Sequence, residues 1–125
     1  MKDVKIGMIG AGWMAKAHTN AFHNARMLFG KDFANPVYYI IADNQADLVE
    51  KRKSELAYQK STTNWEDVVK DPDVDLVDIT TPNSLHYVMA KAALENGKHV
   101  FCEKPLCISS SESKELAALA KQKGV

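Results

Sequence analysis

The stretch that most limits what this chain can fold into is Gly10-Ala11-Gly12-Trp13-Met14-Ala15, a G-x-G-x-x-A pattern set between an apolar run and a helical one. Before it, Val4-Lys5-Ile6-Gly7-Met8-Ile9 reads as a short buried parallel strand. After it, from Trp13 to about Phe29, Met14, Ala17, Ala21, Ala25 and Leu28 recur at spacings of three and four and predict a helix packed through that stripe. In that setting Gly10 allows a tight turn and Gly12, with no Cβ, lets a pyrophosphate approach the backbone. Ala15 is small enough for the helix to lie close to the strand. The backbone N–H groups of Trp13 and Met14 then sit at the helix N-terminus, where unsatisfied donors and the helix dipole favour an anion.

The rest of the chain alternates in the same way. Gly30 stops the first helix, and residues 31–36 read as a loop. Val37 to Ala42 is β-branched and aromatic, a second strand ending at Asp43; Asn44 to about Leu56 is a second helix. Residues 57–63 are ambiguous, with a short strand expected within Tyr58 to Thr62. Asn64 caps a brief helix, Asp71-Pro72-Asp73 turns, and Val74 to Thr80 is a fourth strand. A helix from Asn83 to Glu95 ends at Asn96-Gly97, His99 to Cys102 is a fifth strand, and Ser109-x-x-Glu112 forms a capping box for a last helix. Alternation of this kind predicts an α/β fold of the Rossmann type, a doubly wound parallel sheet with helices on both faces. Residues 1–125 form one dinucleotide-binding domain in this reading, and a helix with no strand after it suggests a fragment of a longer protein.

Charge excludes some partners. Lys plus Arg and Asp plus Glu number 16 each, so no net field attracts nucleic acid or an anionic membrane surface. The Lys51-Arg52-Lys53 run reads as a solvated helix face. Two cysteines, Cys102 and Cys107, are too few for a disulfide scaffold and lack a second ligand pair for zinc, so no metal is expected and both read as reduced thiols. No apolar stretch approaches the ~18 residues of a membrane span, and the N-terminus lacks a signal-peptide core; a cytoplasmic location follows as the expectation.

Three strand ends carry polar residues that a packed core does not need. Asp43 can accept both hydroxyl hydrogens of an adenosine ribose and would repel a 2′-phosphate, which favours NAD over NADP. It stands farther from Gly12 than the ~20 residues usual for such an acid, and helix capping is its other reading. Thr80-Thr81-Pro82-Asn83 follow the fourth strand, beside the first, where strand order reverses and ligands bind; a capped βα turn, with Asn83 as cap, explains the same residues. Glu103-Lys104-Pro105 end the fifth strand. Adjacent side chains on extended backbone point to opposite faces, so a simple Glu103–Lys104 bridge is geometrically poor. His18 and His23 read as packing or surface groups on the first helix, and Trp65 as a ring buried under the third strand.

Taken together, the segments 7–18, Asp43, Asp78-Ile79-Thr80-Thr81-Pro82-Asn83-Ser84-Leu85-His86 and 97–106 resemble the N-terminal half of the Gfo/Idh/MocA oxidoreductases, which include inositol dehydrogenases and glucose–fructose oxidoreductase. Glu-Lys-Pro is the most specific part of the resemblance. It implies that Gly10, Gly12, Trp13 and Met14 bind the pyrophosphate, Asp43 with Asn44 beside it the adenosine ribose, and Thr80, Thr81, Pro82 and Asn83 the nucleotide, with His86 close by. It further implies that Glu103 contacts the nicotinamide ribose and that Lys104 is catalytic, its ammonium stabilising a developing alkoxide and, if partly buried, exchanging protons. Pro105 would fix the turn through a cis peptide. The implied activity is hydride transfer between NAD and the CH–OH group of a sugar, polyol or related compound. A second domain, absent from this chain, would complete the pocket and a homo-oligomer interface, so the chain alone is expected to bind NAD without turnover. A member using NADP and a non-enzymatic dinucleotide sensor are the competing readings.

Overall fold

The structure, a computed structural model, describes residues 2–125. Five strands form one parallel sheet in the order β3-β2-β1-β4-β5. They are β1 (Asp3–Ile9), β2 (Asn35–Ala42), β3 (Lys60–Thr62), β4 (Leu76–Ile79) and β5 (His99–Cys102). Helices α1 (Trp13–Phe29), α2 (Ala46–Leu56), α3 (Trp65–Lys70), α4 (His86–Glu95) and α5 (Ser110–Lys123) connect or follow them. From β1 the chain steps outward through β2 to β3, then crosses back to β4 and continues to β5, so the order reverses between β1 and β4. The α/β doubly wound reading holds.

Two apolar clusters, one on each face, account for the layers. Met8 and Ile41 of the sheet pack with Ala11, Ala15 of α1, Val49 of α2 and Tyr58. On the other face Ile9, Val77 and Ile79 pack with Val68 and Val69 of α3, Met89, Ala93 and Leu94 of α4, and Leu116 of α5. Burying side chains of this size stabilises by roughly 1.5–3 kcal/mol each, which is why these short, strongly apolar strands sit in the middle of the sheet.

Local signals explain most element ends. Gly30 takes φ 78° and ends α1, and Gly97 takes φ 70° after α4. Asn64 accepts from the Glu66 N–H, and Ser109 from the Glu112 N–H, each capping its helix. The capping box stays half made, because Glu112 Oε2 is buried without a partner.

Elsewhere the structure departs from the sequence reading. β2 starts at Asn35, two residues early, because Asn35 N–H donates to Lys2 O and the Asn35 amide reaches Asp3, extending the pairing with β1 through Pro36. Asn83 opens a 3₁₀ turn, Asn83–Leu85, instead of capping, and α4 begins at His86 with no side-chain cap. On α1 the buried face is Ala15, His18 and Thr19, while Ala21 and Leu28 are exposed. The stripe of small apolar residues therefore misplaces the helix, since polar contacts to the sheet set its rotation.

Candidate functional site

A cleft with a cavity volume of about 610 Å³ opens at the carboxyl ends of β1, β2 and β4, across the point where strand order reverses. Its walls bring together Gly10, Gly12, Asp43, Asn44, Thr80, Thr81 and Pro82, residues far apart in the chain.

The glycine turn is built by backbone. Gly10 takes φ 102°, a conformation L side chains rarely adopt, and a Cβ there would sit 2.7 Å from Thr80 Oγ1 and 3.0 Å from the Thr80 backbone. Its N–H donates to Ala42 O at 2.8 Å, and Thr80 N–H donates to Ile9 O at 2.8 Å, so the turn is strapped to both neighbouring strands. Gly12 differs. Its φ is an ordinary −78°, and a Cβ there would meet nothing within 4 Å. The fold does not need glycine at 12; the space beside it is open for a ligand. α1 starts at Trp13, next to Gly12 of the cleft wall, with no side-chain cap bond to its first N–H groups. The Trp13 ring itself is 73% exposed and does not line the cleft.

Asp43 ties two loops together. Oδ2 accepts from Ala11 N–H and Oδ1 from Gln45 N–H, both at 2.9 Å. The carboxylate thus fixes the glycine turn against the entrance of α2; each oxygen retains a second lone pair, and the residue lines the cleft. Arg52 braces the same turn: it is 8% exposed and its Nε donates to Ala11 O at 2.8 Å, while its guanidinium also pairs with Glu55. Its burial corrects the reading of Lys51-Arg52-Lys53 as a solvated face; a carbonyl on a distant loop accounts for it. Trp65 is half-buried at the edge of the core and lines the cleft, and so is not enclosed under β3.

One strand further along the same edge, Glu103 N–H donates to Ile79 O at 2.9 Å and carries the β4–β5 pairing past Cys102. The Lys104–Pro105 peptide is cis. Lys104 is exposed, so the partial burial that proton exchange would need is not found, and its backbone N–H donates to Glu103 Oε2 at 3.2 Å. Glu103 does not bridge to Lys104 but takes His18 Nε2 at 2.7 Å. The far side of that imidazole, Nδ1, lies 2.9 Å from both oxygens of Asp78. Asp78 is 0% exposed, and burial pushes its carboxyl up to about 6 against the pull of His18. Burial opposes the charge on His18, but Asp78 and Glu103 together overcome it and raise its pKa. The His18 hydrogen bond holds Glu103 below the usual carboxylate range. His18 is thus a bridging group inside the site, not a packing or surface residue; the one cue in the sequence, an acid at 78 inside an apolar strand, points to a buried partner without naming it.

His86 is the other correction. It is fully buried, with Nδ1 2.7 Å from Pro105 O and Nε2 2.8 Å from Thr81 O. It holds the turn after β4 to the turn after β5 and offers no atom to the cleft. Asn83, like Trp13, Met14, Glu103 and Lys104, stands outside the cleft wall.

A glycine turn on an uncapped helix, an acid at the end of the second strand and a cleft at the strand-order reversal define a dinucleotide-binding α/β domain. The chain belongs to the oxidoreductase family with an NAD-binding Rossmann fold, whose family description matches residues 4–125. It is similar to levoglucosan dehydrogenase from Pseudarthrobacter phenanthrenivorans, 39% identical over the whole of this chain and 32% of that protein. A solved structure of levoglucosan dehydrogenase in complex with NADH and L-sorbose superposes with a TM-score of 0.94 at 39% identity, covering 100% of this chain and 34% of the other. An NAD-binding oxidoreductase from Klebsiella pneumoniae gives 0.91 at 41% identity, covering 98% and 33%. The chain spans about a third of the length of these relatives.

Proposed function

We propose that this chain is the NAD-binding part of an enzyme that moves a hydride between the nicotinamide and a CH–OH carbon of a sugar, polyol or related compound. The observation that carries the reading is the empty space beside Gly12 next to the uncapped start of α1, a position where the fold itself has no use for glycine. Solved structures of levoglucosan dehydrogenase with NADH, one of them also with L-sorbose, support it. When bound, NAD supplies the hydride acceptor. This chain's residues do the rest: backbone N–H groups of Trp13 and Met14 face the pyrophosphate, Asp43 with Asn44 beside it takes the adenosine ribose, and Thr80, Thr81 and Pro82 wall the nucleotide. Glu103 takes the ribose on the nicotinamide side, and Lys104, exposed at the rim, stabilises negative charge on the substrate oxygen.

Asp43 favours NAD because a second negative group beside it would be repelled, and no lysine or arginine follows at 44 or 45. The substrate pocket and assembly with copies of itself belong to the whole protein. Both cysteines are free, which fits a reducing cytoplasm; no helix among the described residues is long and apolar enough to cross a membrane. Calorimetric titration of the chain with NADH and NADPH tests the reading. NADH is expected to bind at least tenfold more tightly; equal or tighter NADPH binding would overturn the role given to Asp43, and no binding of either would overturn the reading entirely. In the whole protein, Lys104→Met is expected to lower kcat by about a hundredfold or more with NADH affinity retained; an unchanged rate would remove the role given to Lys104, and no turnover by the unaltered whole protein would favour a sensor.

A further inference from the structure

Asp78, His18 and Glu103 form a line running from the buried interior of the sheet to the rim, and the binding of the nucleotide as described leaves two of the three without a role. The geometry restricts their protonation. A neutral imidazole has one N–H, yet His18 faces a carboxylate at each nitrogen, 2.9 Å from Asp78 and 2.7 Å from Glu103. With one extra proton held between Asp78 and His18, both contacts are hydrogen bonds. Without it, one nitrogen lone pair must face a carboxylate, and the half-buried partner at the rim, Glu103, is the one with room to move away. Asp78 cannot move, being fully enclosed in β4.

We propose that His18 is a positioning residue for Glu103: the proton it shares with Asp78 keeps the Glu103 carboxylate turned toward the nicotinamide side of the cleft, and loss of that proton releases it. This rests on the reading of Glu103 given above. The surroundings favour retention of the proton beyond the pH at which a free imidazole loses it. Asp78 comes from β4 and Glu103 from the end of β5, both acidic. The Phe101 ring covers the imidazole at 5.1 Å between centroids, and Tyr58 and Cys102 are the other titratable groups near Asp78. Lys104 is the cation that acts on Glu103. The raised pKa of His18 agrees with this arrangement.

The test compares NADH with ADP, which lacks the nicotinamide and its ribose, on the same chain at pH values on both sides of the His18 transition. Ring nitrogen NMR follows His18 directly. The NADH affinity relative to ADP is expected to fall as His18 titrates. In His18→Asn, NADH binding should weaken by about tenfold with ADP unchanged within twofold, and the pH dependence of the ratio should vanish. A ratio that stays flat in the unaltered chain while the ring signal titrates would overturn the proposal, whatever the variant does. Glu103→Ala separates the two levels. If it weakens NADH while His18→Asn does not, only the positioning role of His18 fails; if it leaves NADH binding unchanged, the assignment of Glu103 itself fails.

Discussion

The two halves of the strand-end rim are built on different principles. Around β1 and β2 the site is mostly backbone: Gly10 and Gly12, helix N–H groups, and one carboxylate, Asp43, whose bonds go to main-chain donors. Around β4 and β5 it is side chain on side chain, with Asp78, His18 and Glu103 meeting from three separate elements. A backbone site suits a ligand group that is the same in every dinucleotide. A chain of titratable side chains suits a position where charge must be held in one orientation. In the proposed reading, recognition of the cofactor and placement of its reactive end fall to structurally separate parts of the domain.

The largest effect that would sharpen this contrast is expected at Gly10. Alanine there is forced into φ 102° and against Thr80, so Gly10→Ala should cost about 3 kcal/mol in denaturant unfolding. A loss below about 1 kcal/mol would mean the turn is not held as described. Next comes the side-chain half. Asp78→Ala leaves His18 buried without its carboxylate and should cost about 2–3 kcal/mol by the same assay, in a region the glycine turn does not touch.

A smaller effect is expected from pH. Folding raises the pKa of His18, so the folded chain binds its proton more readily than the unfolded one. That contribution to stability is complete below about pH 6.5 and is lost as pH rises through the folded value. Thermal melts should show Tm declining on that limb; His18→Asn removes the imidazole's share, and what decline remains belongs to Asp78, whose carboxyl burial pushes up to about 6. The smallest stability effect is expected at Gly12, where alanine meets no atom; Gly12→Ala should change stability by less than about 1 kcal/mol while weakening NADH binding by about tenfold or more. Equal losses of stability in Gly10→Ala and Gly12→Ala would erase the distinction between the glycine the fold needs and the glycine the ligand needs.

The same contrast explains what could be read from the sequence. The sheet, the helix order, the glycine turn and the acid at Asp43 were legible because each rests on local pattern: apolar runs, caps and conformational demands within a few residues. The cleft also falls where strand alternation places it. What was not legible depends on contacts between distant positions. His18 looked like a surface or packing group because its partners lie 60 and 85 residues away. Arg52 looked solvated because Ala11 O, its acceptor, belongs to another loop. His86 looked like a nucleotide contact because its position in sequence follows the β4 turn, whereas its ring points inward to Thr81 and Pro105 carbonyls. The rotation of α1 was misread for the same reason, since His18 and Thr19, not the alanine stripe, face the sheet.

The proposal requires that one groove at the strand ends receive a nicotinamide dinucleotide along its length. Titrating the isotope-labelled chain with NADH and following backbone amide resonances tests it most directly. Shifts are expected at Gly10 to Met14, Asp43, Thr80, Thr81, Glu103 and Lys104, with ADP moving Gly10 to Met14, Asp43, Thr80 and Thr81 and leaving Glu103 and Lys104 in place. Shifts clustered at the opposite ends of the strands, or the same pattern from ADP as from NADH, would contradict it.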